Sequence, residues 1–172
     1  CLCLLCLPMA CSTLNAPDPR TAAPVYSIAP IPASEKGAQV RYIQEIFDKA
    51  EKKPAIFRFA PGDYAIDSAD GLRIPGEATL IMENARFLLD ASLDKDGQAF
   101  LIEDAAHITL IGGAVIGRRD SWPDAVNVAG VRIRGAAGDI RLRGVSFADL
   151  SSNAVGVFGK DAEHPIRGIY LD

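Results

Sequence analysis

Cysteine is absent from most of this sequence. All four cysteines, Cys1, Cys3, Cys6 and Cys11, fall within the first eleven of the 172 residues. Disulfide frameworks and Cys-based zinc sites are therefore excluded from residue 12 onward. The stability of that part must come from packing, and a hydrophobic content of 49% is typical of an ordinary globular domain.

A strong excess of positive charge is also missing. The formal net charge is -4, the sequence pI is about 5.2, and no run of Lys and Arg occurs. Proteins that bind nucleic acid need a basic patch or stripe that can neutralise phosphates. The sequence therefore predicts no nucleic-acid partner.

No hydrophobic run is long enough to span a bilayer. Residues 1–11 are apolar and end in small residues, which suits the core of an export signal. We therefore expect a secreted, periplasmic or outer-surface protein. A membrane contact is expected only through a lipid anchor near the N-terminus.

The segment LPMAC at residues 7–11 resembles a bacterial lipoprotein signal, in which a small residue precedes the cysteine that is lipidated. This resemblance implies lipidation of Cys11, and an export signal without lipidation is the alternative. Residues 12–33 contain five prolines among Ala, Ser and Thr. This composition predicts an extended tether between the signal and the folded domain.

One amphipathic helix is predicted at residues 34–53. Ser34 is a plausible N-cap, and Lys53 and Pro54 mark the end. Apolar residues recur at three- and four-residue spacing, namely Val40, Ile43, Ile46, Phe47 and Ala50. We expect this helix to cover the first edge of the domain that follows.

A repeat of short β-type runs follows the helix. The pattern φ-x-φ-x-[GN]-x-x-φ, with φ apolar, starts at Leu80, Ile108 and Ile140, and a partial copy starts at Ile169. The offsets are 108 - 80 = 28, 140 - 108 = 32 and 169 - 140 = 29, a loose period typical of repeat architectures. A second, weaker series begins at Phe100, Val131 and Val155.

Such units are expected to stack. One unit of about three short strands cannot bury its apolar face or satisfy its backbone groups alone. Stacking would pair strand on strand and align the apolar side chains in columns. Asn84, Gly112 and Gly144 occupy the same pattern position, which predicts corners with positive φ. Because the sequence stops at Asp172 within a strand-like run, we expect further units beyond it.

Two segments carry a resemblance to a known superfamily. One is FAPGDYAI at residues 59–66, which follows Ile43 and Gln44 of the predicted helix; the other is ITLIGGAVIG at residues 108–117, followed by Trp122. The first resembles the entry to the first coil of pectate-lyase-like proteins, and the second is similar to a segment of polygalacturonase-type glycoside hydrolases. The resemblance implies an all-β fold, a right-handed parallel β-helix (solenoid) with an N-terminal capping α-helix, over residues 34–172.

The same resemblance implies an extracellular carbohydrate-active protein. It implies a polysaccharide lyase or glycoside hydrolase acting on an acidic polysaccharide, with a non-catalytic surface or glycan-binding protein as the alternative. The Asn-Thr-Asp and Asp-Asp motifs of the hydrolases do not occur in this sequence. No catalytic residue is carried over, so whether the chain is an enzyme stays open at this point.

The segment from Arg118 to Trp122 is the first candidate substrate-binding site. Arg118 and Arg119 offer guanidiniums that can bind carboxylates bidentately, with Asp120 beside them. The indole of Trp122 could stack on a sugar face. The alternative is a solvated turn whose Trp covers the unit below.

Lys160 and His164 form the second candidate site, in a polar segment with Asp161 and Glu163. A lyase needs a base and a cation near a uronate, and these side chains could serve. The alternative is a hydrophilic connection between strands. His107, which precedes a predicted strand, is expected to be structural.

A calcium site is the weaker interpretation of residues 92–97. The segment SLDKDG, with Glu103 six residues beyond it, nearly matches an EF-hand loop but has Ser at the first ligand position. The flanking runs alternate as strands and do not form helices. A polar turn is therefore preferred, and no cofactor or metal is predicted.

Overall fold

The fold is described here from a computed structural model, which describes residues 22–32, 37–50 and 53–172. The predicted signal at residues 1–11, with Cys11, lies outside the described residues, as does Ser34. The described part is mostly β-structure with parallel sheets and one α-helix. None of the helices in that part has the length and apolar character needed to cross a bilayer.

The described chain forms one helix, α1 (Ala38–Asp48), and a short 3-10 turn at Arg119–Ser121. The strands are β1 (Val25–Ile28), β2 (Ala55–Phe59), β3 (Gly62–Ile66), β4 (Leu72–Arg73), β5 (Ala78–Ile81), β6 (Ala85–Leu89), β7 (Gly97–Glu103), β8 (Ala106–Ile111), β9 (Ala114–Ile116), β10 (Val128–Gly135), β11 (Gly138–Arg143), β12 (Ser146–Ala148), β13 (Val155–Gly159) and β14 (Arg167–Leu171).

The strands form three sheets in which every pairing is parallel. The first sheet has the order β1-β2-β5-β8-β11-β14, the second β3-β6-β9-β12 and the third β4-β7-β10-β13. Each strand from β2 to β11 pairs with the strand whose number is three higher, as β2 does with β5. The chain therefore enters the first, second and third sheets in a fixed order, once in each three-strand unit.

The predicted register is confirmed for most of the repeat. Ile108 pairs with Ile140, and Ile140 pairs with Ile169. The second series is also confirmed, because Val131 pairs with both Phe100 and Val155.

The register predicted for Leu80 is wrong by two residues, because Leu80 pairs with Leu110 and not with Ile108. The later pairing of Phe87 with Val115 keeps the predicted offset of 28. Ile81 pairs with Ile111 and Arg86 with Ala114, so four residues (82–85) connect the paired positions in one unit and two residues (112–113) connect them in the next. The two extra residues lie in the connection between the first and second sheets. The sequence pattern applied one offset of 28 to the strands on both sides of this connection, and it therefore misplaced Leu80 by two residues.

The corner residues adopt the predicted conformation. Asn84, Gly112 and Gly144 have φ of 61°, 67° and 61°. A left-handed residue at each of these turns lets the chain pass from the first sheet to the second within two or three residues. The prediction of positive φ at this corner is confirmed.

The predicted helix is present at residues 38–48. It begins at Ala38 because Gly37 at its N-cap has a φ of 78°, which lies outside helical geometry. Lys49 and Ala50 form a turn after Asp48, and residues 34–36 and 51–52 of the predicted range lie outside the described residues. The helix packs against β1, β3 and β4 of the first unit and buries Ile43 and Phe47 completely or nearly so.

Part of the predicted tether is ordered structure. Residues 25–28 form strand β1, which pairs with β2, and the side chain of Ile28 is buried. Pro24 and Pro30 flank this strand without interrupting it, and an edge strand tolerates such neighbours. The tether expected over residues 12–33 therefore includes four residues that form a strand of the first sheet.

The core consists of side chains in register along each sheet. Phe57, Leu80, Leu110 and Leu142 follow one another in the first sheet, and each is at most 3% exposed. Aromatic rings fill the interior near α1, where the Phe87 ring centroid lies 5.3 Å from that of Tyr64 and 4.8 Å from that of Phe100. The inner surface is therefore continuous from unit to unit.

The effect of shortening one inward side chain tests this arrangement. Phe87→Ala should lower the free energy of unfolding by about 3–5 kcal/mol, because the cavity among the aromatic rings cannot close. Leu88→Ala, one residue further and half-exposed, should cost about 1 kcal/mol or less. Chemical denaturation measures both values, and equal losses would contradict the assignment of inner and outer faces.

His107 joins successive units on the outer surface, in agreement with the structural role predicted for it. Its Nδ1 atom lies 3.0 Å from Oδ2 of Asp139, and its Nε2 atom lies 3.9 Å from Oε1 of Glu77. All three residues have positive φ; Glu77 directly precedes β5, and His107 and Asp139 are the second residues of β8 and β11. The hydrogen bond to Asp139, with the charge of Glu77, raises the pKa of His107, and the bonds from His107 and Arg141 lower the pKa of Asp139.

These pKa directions fix how His107 contributes to stability with pH. A raised pKa in the folded state gives stability that is complete below the ordinary value of 6.5 and is lost as the pH rises through the folded value. The lowered pKa of Asp139 gives stability that is lost only as the pH falls below 3.8. His107→Gln should therefore lower the melting temperature more at about pH 5.5 than at about pH 9. Thermal melts at both values check this, and a loss of equal size would contradict it.

Candidate functional site

The first candidate site lies in one of the loops that join the second sheet to the third. These loops comprise residues 67–71, 90–96, 117–127 and 149–154, one from each unit. Because the units stack in register, the loops lie one beside the next at the same corner. The third is the longest and carries the two adjacent arginines.

Gly117 begins this loop because no larger residue fits. Its backbone N–H donates to the carbonyl of Ala148 at 2.9 Å. A Cβ atom at this position would lie 2.1 Å from the carbonyl oxygen of Asp149 and 2.9 Å from the Trp122 ring. The next hydrogen bond, from the Arg119 backbone N–H to the carbonyl of Asp149, is 3.0 Å long. The loop is thus held against the loop of the following unit.

Trp122 anchors the loop from below. Its side chain is 5% exposed, and its indole N–H donates to the carbonyl oxygen of Asp90 at 2.8 Å. The expectation of a Trp122 ring free to stack on a sugar is therefore wrong. The ring is buried against the preceding loop because the indole has more apolar surface than any other side chain of this loop and a donor that needs a partner.

Arg118 and Arg119 remain exposed beside a surface depression of about 350 Å³. We call it the arginine depression. It is lined by Leu88, Ile116, Gly117, Arg118, Arg119, Asp120, Ser121 and Asp149. Within residues 22–32, 37–50 and 53–172, neither arginine forms an ion pair, whereas Arg73 and Arg134 both pair with Glu103. Unpaired guanidiniums are free to bind an anionic ligand.

A second depression lies on the other side of the same loop. It has a volume of about 330 Å³, and Arg119 and Asp120 line both depressions. Trp122, Asp124 and Ser151 contribute to its wall. The Ser151 hydroxyl is already engaged, because it donates to the carbonyl of Val126 at 2.7 Å and accepts from the Val128 N–H at 2.9 Å. This depression therefore offers fewer free groups than the first.

Two carboxylates share the arginine depression, those of Asp120 and Asp149, and both residues are exposed. Their oxygens can accept hydrogen bonds from the hydroxyl groups of a ligand.

Four residues of the depression were not identified from the sequence, namely Leu88, Ile116, Gly117 and Asp149. They are ordinary in type, and Leu88 and Asp149 lie far from the arginines in the chain. The offset of 28 between Phe87 and Val115 does place Leu88 beside Ile116, so the repeat contained a signal for these two. The position of Asp149 depends on the path of the next loop, which no pattern specified.

Lys160 and His164 lie at a different corner, in the loop of residues 160–166 between β13 and β14. Neither lines the arginine depression. The carboxylate of Asp161 accepts the backbone N–H groups of Glu163 and His164 at 3.0 and 2.8 Å, and its Oδ1 atom lies 2.7 Å from Nδ1 of His164. The bond from His164 lowers the pKa of Asp161. The two predicted sites are thus not brought together.

Residues 92–97 form the polar turn that was preferred over a calcium loop. The Asp90 carboxylate accepts the Ser92 N–H at 2.6 Å, and the Asp96 carboxylate accepts the Asn127 N–H at 2.8 Å. Strands β6 and β7 flank the turn. In the part of the chain that the structure describes, no group of three or more His, Cys, Asp and Glu side chains could hold a metal ion.

Comparison with known proteins gives little further information. No family model matches the chain, and no curated protein matches it. The chain is similar to the crystal structure of a "putative glycosyl hydrolase" from Parabacteroides merdae ATCC 43184, at 13% identity and a TM-score of 0.49. The match covers 77% of this chain and 88% of that one. A likeness of this degree does not assign an activity.

Removal of the Trp122 anchor should loosen the arginine loop. Trp122→Ala should lower the free energy of unfolding by about 3–5 kcal/mol, and Trp122→Phe by about 1–3 kcal/mol, because it leaves the Asp90 carbonyl without its donor. Hydrogen exchange under native conditions should reach the amides of Gly117 and Arg119 by local opening, so that it is faster there than at the core amide of Ile140, which exchanges only through global unfolding. Unchanged exchange at Gly117 and Arg119 in Trp122→Ala would show that the indole does not hold the loop.

Proposed function

We propose that the three parallel sheets are the faces of a right-handed parallel β-helix that α1 caps at its first unit. The pairing of each strand with the strand three elements later supports this proposal. So do the repeated left-handed corner residues at Asn84, Gly112 and Gly144, and the inward columns of aliphatic side chains. In this proposal residues 34–172 form one domain.

The function we propose is that of an extracellular carbohydrate-active protein that binds an acidic polysaccharide at the arginine depression. The observation that carries this proposal is the pair of exposed guanidiniums of Arg118 and Arg119, which have no ion-pair partner among the described residues. Carboxylates are the natural partners of such groups. Loops on a rigid scaffold are also where binding residues concentrate.

Polysaccharide lysis or glycoside hydrolysis is the activity that the resemblance of the sequence implies. A non-catalytic glycan-binding protein is the second candidate, because the two guanidiniums at the arginine depression account for binding of an anion without a catalytic group. Incubation of the full chain with a uronate polymer separates the two. A lyase would generate unsaturated products, a hydrolase would generate new reducing ends, and a binding protein would leave the polymer intact.

For the location, we propose export through the segment at residues 1–11, with Cys11 as the site of a lipid anchor and residues before the first strand as its tether. The apolar composition and the cysteine that follows Ala10 support this. Metabolic labelling of the chain with a radioactive fatty acid in a bacterial host tests it. A Cys11→Ser variant that retains the label would contradict the assignment of Cys11.

Charge reversal at the two arginines tests the binding proposal. Arg118→Glu/Arg119→Glu should weaken binding of polygalacturonate by at least about tenfold, because each charge-assisted hydrogen bond contributes about 1.5 kcal/mol or more. Arg58→Glu/Arg167→Glu makes the same charge change at two exposed arginines elsewhere and should retain most of the affinity. Calorimetry at low ionic strength measures both, and equal losses would indicate a general charge effect and no site.

A further inference from the structure

Leu88 and Ile116 give the arginine depression an aliphatic floor. They are paired in register on β6 and β9, and both line the depression. Their chain neighbours Phe87, Leu89 and Val115 are buried at 0%, 1% and 0% exposure, so alternation along the strands places Leu88 and Ile116 on the outer face of the second sheet. Both are half-buried, and their outer surfaces are open to a ligand.

The rest of this column is too small to extend the floor. Ala65 pairs with Leu88, and Ala148 pairs with Ile116, so the two large aliphatic side chains lie between two alanines. Among the residues that the structure describes, Leu88 and Ile116 are the only large apolar side chains that line the depression. Because the ring of Trp122 is buried, it cannot supply the apolar surface that was expected from it.

A floor of this kind changes which anions the site can distinguish. Guanidiniums alone bind carboxylate, phosphate and sulfate groups, whatever molecule carries them. An aliphatic surface next to them favours a ligand that presents an apolar face beside its anionic group, because that contact removes apolar area from water. A uronate ring has such a face in its C–H groups, and a polyphosphate chain has none.

We infer that Leu88 and Ile116 are specificity-determining residues that select a carboxylated sugar ring over other anions of similar charge. This inference rests on the proposed function, since it concerns the same depression. It assigns the two arginines to recognition of the charge and the two aliphatic residues to recognition of the ring.

The experiment compares two double variants and two polyanions. Leu88→Thr/Ile116→Thr removes the aliphatic floor and keeps side chains that suit strands. Ile81→Thr/Ile111→Thr is the matched control, because Ile81 and Ile111 are also paired in register and half-buried, on β5 and β8 of the first sheet. The full chain, each variant and Arg118→Glu/Arg119→Glu are titrated with polygalacturonate and with polyphosphate.

We expect Leu88→Thr/Ile116→Thr to weaken polygalacturonate binding about tenfold, from the loss of about 0.8 kcal/mol per buried methylene group, and to leave polyphosphate binding unchanged. The control should bind both polymers as the native chain does, and the arginine variant should lose both. Native affinity of Leu88→Thr/Ile116→Thr for polygalacturonate would overturn the inference alone, as would equal losses for the two polymers. A native chain that binds no polygalacturonate would overturn the proposed function together with it.

Discussion

Parallel pairing between each strand and the strand three elements later is the constraint on which the rest of this structure depends. It brings side chains that are about thirty residues apart in sequence to neighbouring positions, as for Ile108 and Ile140. It also gives each unit a partner for backbone groups that would otherwise be exposed along its edge. The last described strands show the importance of a neighbour. Val157 and Leu171 are 49% and 61% exposed, although they pair with Ile133 and Leu142, which are at most 3% exposed.

The same pairing determines how the candidate site is built. Gly117, Trp122 and the carbonyls of Asp90 and Asp149 belong to three successive loops, and their contacts hold the arginine loop from both sides. The side chain of Trp122 packs inward against the preceding loop, and the guanidiniums of Arg118 and Arg119 remain at the surface. A binding surface with fixed backbone and free side chains is expected from such an arrangement, because little conformational entropy remains to be lost from the loop.

The arginines on the sheet faces differ from those of the loop. Arg86 pairs with Asp63 on the neighbouring strand through two contacts of 2.5 and 2.6 Å, and Arg134 pairs with Glu103 on its neighbouring strand through one contact of 2.5 Å. Such exposed pairs contribute little to stability. They do neutralise the charge of their side chains, whereas Arg118 and Arg119 have no ion-pair partner among the described residues. The candidate site is therefore distinguished by two such guanidiniums at adjacent positions beside one depression.

The sequence by itself determined the repeating strands, the parallel register at Ile108, Ile140 and Ile169, the left-handed corners and the presence of one amphipathic helix before the repeats. These follow from local backbone preferences and from the alternation of apolar residues, which are readable along the chain. Only the tertiary structure decided that Leu80 pairs with Leu110, that Trp122 faces inward, and that Leu88, Ile116 and Asp149 meet the arginines. Each of these depends on the number of residues in a turn and on the space available for a side chain at a given surface. The packing between units sets both quantities, and no residue pattern within a single unit indicates them.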